Sequence, residues 1–233
     1  MRQRIRAVSA AVGLSVLLAA GAASACVDAV VLVHGNTGRP SDFDNTVAAL
    51  VARGVPANRI LRPDWGSKLC AACNDHIGSE EVPVEQALID AAALSCTGRI
   101  DVIGHSMGAT LAARVIRRLG MAGHVDGFVG IAGGFRGLRS CGVYPLNVAT
   151  TTCGAGGLSL GSPLIQSLSG QRFGARMYSI KSWIDQVVCL TGVCTVGGVH
   201  TSQISGEIAS YTFALGHLGL LSDTPSTQAN LVL

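Results

Sequence analysis

"RIDVIGHSMGATLAARVIRRLG", residues 99–120, is the stretch whose reading decides the fold. An apolar run through Ile100, Val102 and Ile103 hands over to a helix-like segment through Gly104, His105, Ser106, Met107 and Gly108. A serine at a strand-to-helix turn, with glycine two residues away on each side, is the sharp elbow that exposes a nucleophile above a sheet. Side chains at 104 and 108 would collide with neighbouring elements as Ser106 is pushed outward. The Ser106 hydroxyl would then stand over the strand ends, beside the N–H groups of the following helix, where negative charge is stabilised. A serine that merely caps a helix is the plain alternative, but the surrounding strand and helix favour the nucleophile.

Working outward, "VDAVVLVHG" is a continuous β-branched run, as expected of a strand buried on both faces. "PSDFDNTVAALVARG" reads as a helix capped by Ser41 and stopped at Gly54. "RILRP" reads as a short strand and "VPVEQALIDAAAL" as a helix opened by Pro83. After the elbow come "HVDGFVGIAG", "ARMYSIK" and "IASYTFAL" as strands. Strands alternating with helices build a mainly parallel sheet with helices on both faces. The 133–174 segment is too long for a plain connection and reads as a lid or substrate rim. Within it "GSPLIQSL" is a helix capped by Ser162. Leu158, Leu160, Leu164, Ile165 and Leu168 either line an apolar entrance or pack on the core. "GAGG" at 154–157 opens no helix after a strand and reads as loop, not as a phosphate cradle.

A nucleophilic serine needs a histidine and an acid, in the chain order serine, acid, histidine. His217, in "ALGHLGLL", follows the last strand and suits a loop. His200 is the second candidate, and His105 packs structurally beside the serine. Asp185 lies just past the strand "ARMYSIK", at the same carboxyl edge of the sheet as Ser106, where sites in open α/β sheets collect. Asp126 sits at the opposite edge, Glu207 opens the final strand and Asp223 follows the histidine. Two N–H donors are needed for an oxyanion: Met107, directly after the nucleophile, and Asn36, in "VHGNTG" after the first strand. His34 and Gly35 shape that turn.

The 233 residues are 48% hydrophobic and 13% charged, which excludes disorder. Residues 1–25 read as a secretory leader: Arg2, Arg4 and Arg6, then an apolar stretch, then "ASA" before a cut at Cys26. Cys26 raises lipoprotein anchoring, which Ala23 fits poorly. Residues 26–233 then form one domain without a membrane span, secreted to the periplasm or outside the cell, and monomeric. Of 17 basic and 14 acidic residues, three arginines fall in the leader, so the remainder is balanced and argues against a nucleic-acid partner. Arg114, Arg117 and Arg118 read as a solvated helix face.

All 8 cysteines follow the leader, an even count that points to disulfides in an exported chain. Cys141 with Cys153, and Cys189 with Cys194, are the locally cheap pairings. Cys70 and Cys73 spell a C-x-x-C without a thioredoxin-like setting, and no histidine cluster beside them suggests zinc.

"LVHG", "GHSMG", the Asp185 position and "GHLGLL" together resemble the small bacterial class 2 lipases, compact α/β-hydrolases. The likeness runs from about Val27 to Leu221. It implies carboxylic-ester hydrolysis through Ser106, Asp185 and His217, with Asn36 and Met107 as oxyanion donors, and no metal or cofactor. "IAGGFRGLRSC", "TTCG" and "DQVVCLTGVC" are similar to lipase-like secreted polyhydroxyalkanoate depolymerases. That second likeness implies Asp185 as the acid, the two local disulfides, and a polyester as the alternative substrate. The 133–174 segment looks longer than in the smallest lipases, and the whole chain shorter than the depolymerases. A binding protein on a catalytically dead hydrolase fold is the reading from another class.

Overall fold

Position by position, β1 (Ala29–Val33) explains the architecture. Ala29, Val31 and Val33 enter one apolar core, and Val30 and Leu32 the other. Both faces of this strand are covered, so no polar position interrupts it. The computed structural model describes residues 27–233 except Asn147. The leader, its expected cut and Cys26 lie outside the described residues.

In chain order there follow α1 (Asp44–Val51), β2 (Ile60–Leu61), α2 (Glu81–Leu94), β3 (Ile100–His105), α3 (Met107–Leu119), β4 (Val125–Ile131), α4 (Pro163–Leu168) and β5 (Arg176–Lys181). Then come β6 (Thr195–Val196), β7 (Val199–His200), β8 (Ala209–Thr212), α5 (His217–Ser222) and α6 (Pro225–Val232). Six strands form one sheet in the order β2-β1-β3-β4-β5-β8, and every pairing is parallel. β6 and β7 make a small antiparallel hairpin inside the β5–β8 connection. One face of the sheet packs on α2, α3 and α4, with Val84, Leu88, Leu111, Val115 and Leu164 buried. The other packs on α1, α5 and α6 through Leu50, Leu220 and Ala229. This is the α/β-hydrolase fold.

The region around α1 departs from the reading above. Its first turn, Pro40–Phe43, is a 3-10 helix, and the α-helix starts at Asp44. Ser41 is not the cap: the Asp42 carboxylate accepts the Arg39 N–H at 2.8 Å and winds the turn itself. Ser162 does cap α4, accepting the Ile165 N–H at 3.2 Å. Leu158, Leu164, Ile165 and Leu168 are buried in the core, and Leu158 also lines a cleft described below.

Among the described residues three disulfides are present: Cys70–Cys73, Cys141–Cys153 and Cys189–Cys194. Cys96 is exposed and has no disulfide partner among the described residues. Among the described residues no helix is long and apolar enough to cross a membrane.

Candidate active site

The elbow is built from collisions avoided. A Cβ on Gly104 would lie 2.4 Å from the Ala109 Cα, and one on Gly108 only 2.0 Å from the His34 carbonyl oxygen. Glycine at both positions lets α3 start hard against β1 and β3. Ser106 then takes φ 53°, a conformation that L-residues rarely adopt. Its N–H donates to the Ile131 carbonyl at 2.7 Å, tying the turn to the end of β4.

Asp185 follows β5 by four residues and is 1% exposed. Its Oδ1 accepts the Val187 and Val188 N–H groups, both at 2.9 Å. His217 Nδ1–H donates to Asp185 Oδ2 at 2.8 Å. Burial alone would raise the Asp185 carboxyl. The hydrogen bond and charge of His217, with the two N–H donors, outweigh it and hold the group below the ordinary aspartate value. His217 does not lie in a loop, as the flanking glycines suggested. Gly216 is the extended N-cap and His217 the first residue of α5. Its N–H donates to Gln186 Oε1 at 3.0 Å.

His105 packs beneath, its ring 4.8 Å from that of His217 and its Nε2–H donating to the His217 carbonyl at 3.2 Å. Burial, then the neighbouring His217, pushes His105 down to about 3, so it stays neutral. His200 has both ring nitrogens engaged, Nε2 by the Ser182 carbonyl and Nδ1 by the Ser202 N–H. Asp126 is paired with Arg99, and Asp223 accepts from Ser222. Glu207 precedes β8 and accepts the Ile204 N–H.

Asn36 lies in the turn after β1, between Gly35 and Thr37, the latter at φ 56°. A Cβ on Gly35 would sit 3.1 Å from the Ser106 Cβ, so this turn runs directly beside the elbow. Beneath it His34 is fully buried and stacked on Trp65, whose Nε1–H donates to the His34 carbonyl at 2.9 Å.

Asn36, Ser106, Met107, Leu138, Leu158 and Val187 line one cleft of about 330 Å³. The Ser106 hydroxyl is half-buried there, with no hydrogen-bond partner among the described residues. Cys189, Cys194 and His200 bring three metal-type ligand atoms together, but the two sulfurs are bonded to each other and offer no thiolate.

Residues 28–230 match the family described as Lipase (class 2). The chain belongs to the class 2 lipase family. Among solved structures this chain is similar to lipase B of Aspergillus fumigatus, 18% identical with a TM-score of 0.58. That match covers 83% of this chain and 49% of the other, so the chain spans about half the length of the fungal protein. An extracellular α/β-hydrolase from a Paenibacillus species is 13% identical, with 88% and 97% covered and a TM-score of 0.55. A pyrethroid hydrolase from Sphingobium faniae is 14% identical, with 87% and 94% covered and a TM-score of 0.51. At such identities the likeness is one of fold. No curated protein matches the chain by sequence.

Sequence reasoning missed Gln186 and Asn74, which touch His217 and Asn36. Neither carries a motif, and a glutamine or asparagine in a loop sends no signal until its partner is known.

Proposed function

We propose that the chain is a secreted serine hydrolase that cleaves neutral, apolar carboxylic esters through an acyl-enzyme on Ser106. The observation that carries this reading is the buried Asp185–His217 pair beside a strained serine elbow that opens on an apolar cleft. His217 Nε2 takes the Ser106 proton as the hydroxyl oxygen attacks the ester carbonyl. Asp185 holds the tautomer with Nδ1 protonated and stabilises the imidazolium. The Met107 and Asn36 backbone N–H groups receive the oxyanion. As the tetrahedral intermediate collapses, the His217 imidazolium gives its proton to the leaving oxygen, the alcohol departs, and water activated by His217 attacks the acyl-enzyme in the same way to release the acid and free Ser106. On this reading the Ser106–His217 hydrogen bond forms when substrate binds.

A neutral substrate is supported by the cleft's surroundings. No Asp, Glu, Lys or Arg occurs from 140 to 171 or from 186 to 206. Leu218 (68%), next to His217, Leu69 (98%), next to Cys70, and Leu190 (68%), in the connection that carries Asp185, stand exposed. Three disulfides support the secreted reading. Labelling by a fluorophosphonate, located by peptide mass spectrometry, tests the nucleophile. Ser106→Ala is expected to lose label and on the order of 10⁵–10⁶ in turnover, and unchanged turnover would end the reading. Initial rates on tributyrin, long-chain triglycerides and dispersed polyhydroxyalkanoate rank the ester classes.

A further inference from the structure

The Cys-Ala-Ala-Cys sequence has no part in the chemistry above, yet it stands against the oxyanion turn. Cys70 and Cys73 are bonded to each other and lie in the segment between β2 and α2. Asn36 Nδ2 donates to the Ala71 carbonyl inside that ring at 2.9 Å, and Asn36 Oδ1 accepts from Asn74 Nδ2 at 2.6 Å. Both ends of the Asn36 side-chain amide are therefore held. Asn74 is itself 1% exposed, its Oδ1 accepting the Ser67 N–H at 2.6 Å and its Nδ2 also donating to the Ser67 carbonyl at 2.9 Å.

The ring is clasped from outside by the 133–174 segment. Thr152 Oγ1 lies 2.6 Å from the Ala71 carbonyl and 2.5 Å from that of Asn74, and Thr151 Oγ1 donates to the Ala72 carbonyl at 3.1 Å. These threonines belong to the turn Thr151–Cys153, closed by Cys141–Cys153. The Gly156 carbonyl accepts from the buried His76, by its N–H at 3.1 Å and its Nδ1 at 2.9 Å.

We propose that Asn74, held by the two disulfide-closed loops, is a positioning residue: it locks the Asn36 side chain and keeps the Asn36 backbone N–H aimed at the oxyanion. This rests on the reading of that N–H as a donor. The physical need is plain. Thr37 holds a positive φ, and a turn strained at that point relaxes unless something outside it fixes it. An oxyanion donor is effective only when it is pre-aligned. The 133–174 segment is on this account a fixed brace rather than a moving lid.

Complete loss of one such donor costs ~10²–10³ in turnover, and a loosened donor less. Asn74→Ala is expected to lower kcat about 10- to 100-fold with KM within about twofold, and to weaken a boronic-acid transition-state analogue by the same factor. Asn36→Ala keeps the backbone N–H and removes the latch from the half-buried side, so it serves even where Asn74→Ala fails to fold. Its loss should match, and the double variant should be no slower than the slower single one. Singles that keep full kcat, losses carried by KM, or additive losses in the double variant would overturn the latch. Fluorophosphonate labelling of the wild-type protein runs in parallel. Label on Ser106 with full kcat in both variants removes the latch alone, whereas a wild type that takes no label removes both readings.

Discussion

Gly108 is the residue on which the elbow turns. With the His34 carbonyl 2.0 Å and the Val33 carbonyl 2.5 Å from the place a Cβ would take, the clash is with backbone and no rotamer relieves it. Gly108→Ala is expected to cost about 3 kcal/mol, the upper part of the overpacking range, because α3 must lift from the end of β1. For a domain of this size that is a fall of roughly 6–12 °C in Tm, readable by differential scanning calorimetry. Turnover should fall with it, since Met107 and Ser106 move with the helix. An unchanged Tm would mean that α3 does not sit where it is described.

At the scale of elements, the connection after β5 sets Asp185, the acid of the proposed mechanism. Two N–H groups fix the Asp185 carboxylate, the Cys189 N–H donates to the Asp185 carbonyl at 2.9 Å, and Cys189–Cys194 closes the loop. Replacing both cysteines by serine is expected to cost ~2 kcal/mol by loop-closure entropy, measured by urea unfolding. kcat should fall more than KM rises, because the loop holds the acid rather than the substrate. The long elements around this connection were legible in the sequence. Residues 29–33 and 100–105 are strands buried at every position, which leaves a continuous apolar run in the first and, around Asp101, the apolar Ile100, Val102 and Ile103 in the second. The β6–β7 hairpin, with two residues per strand, and the helix α6 were not legible. Elements that short owe their form to what they pack on, and α6 carries Gln228, whose amide is spent inside the fold on Leu221, Thr224 and Thr46.

At the scale of the whole molecule, stability carries a pH dependence that no active-site residue explains. Asp101 lies in β3, mostly buried between the sheet and α6, its Oδ1 accepting the Gly127 N–H at 2.8 Å. Burial, against that hydrogen bond and the Arg176 charge, pushes its carboxyl up to about 7. Between about 4 and 7 the folded protein therefore holds a proton that the unfolded chain has released. Stability falls as pH rises through that window. Asp101→Asn should flatten this slope in urea unfolding at pH 4.5, 5.5 and 7, and a wild-type stability that rises across the same range would contradict it. Asp185 works in the opposite sense and lower down: its depressed carboxyl contributes stability that is lost as pH falls through its folded value.

What the sequence determined by itself was whatever depends on near neighbours in the chain: buried strands, a serine between two glycines, a capped helix at Ser162 and two of the local disulfide rings, Cys141–Cys153 and Cys189–Cys194. These follow from side-chain volume, backbone freedom and short loop closure. Tertiary structure alone decided which distant groups share an atom's reach. Gln186 meets the N–H of His217, and Asn74 meets the amide of Asn36 across 38 positions. Such contacts depend on how three loops stack over one sheet edge, and hydrogen bonding between uncharged side chains leaves no periodic trace in the order of residues.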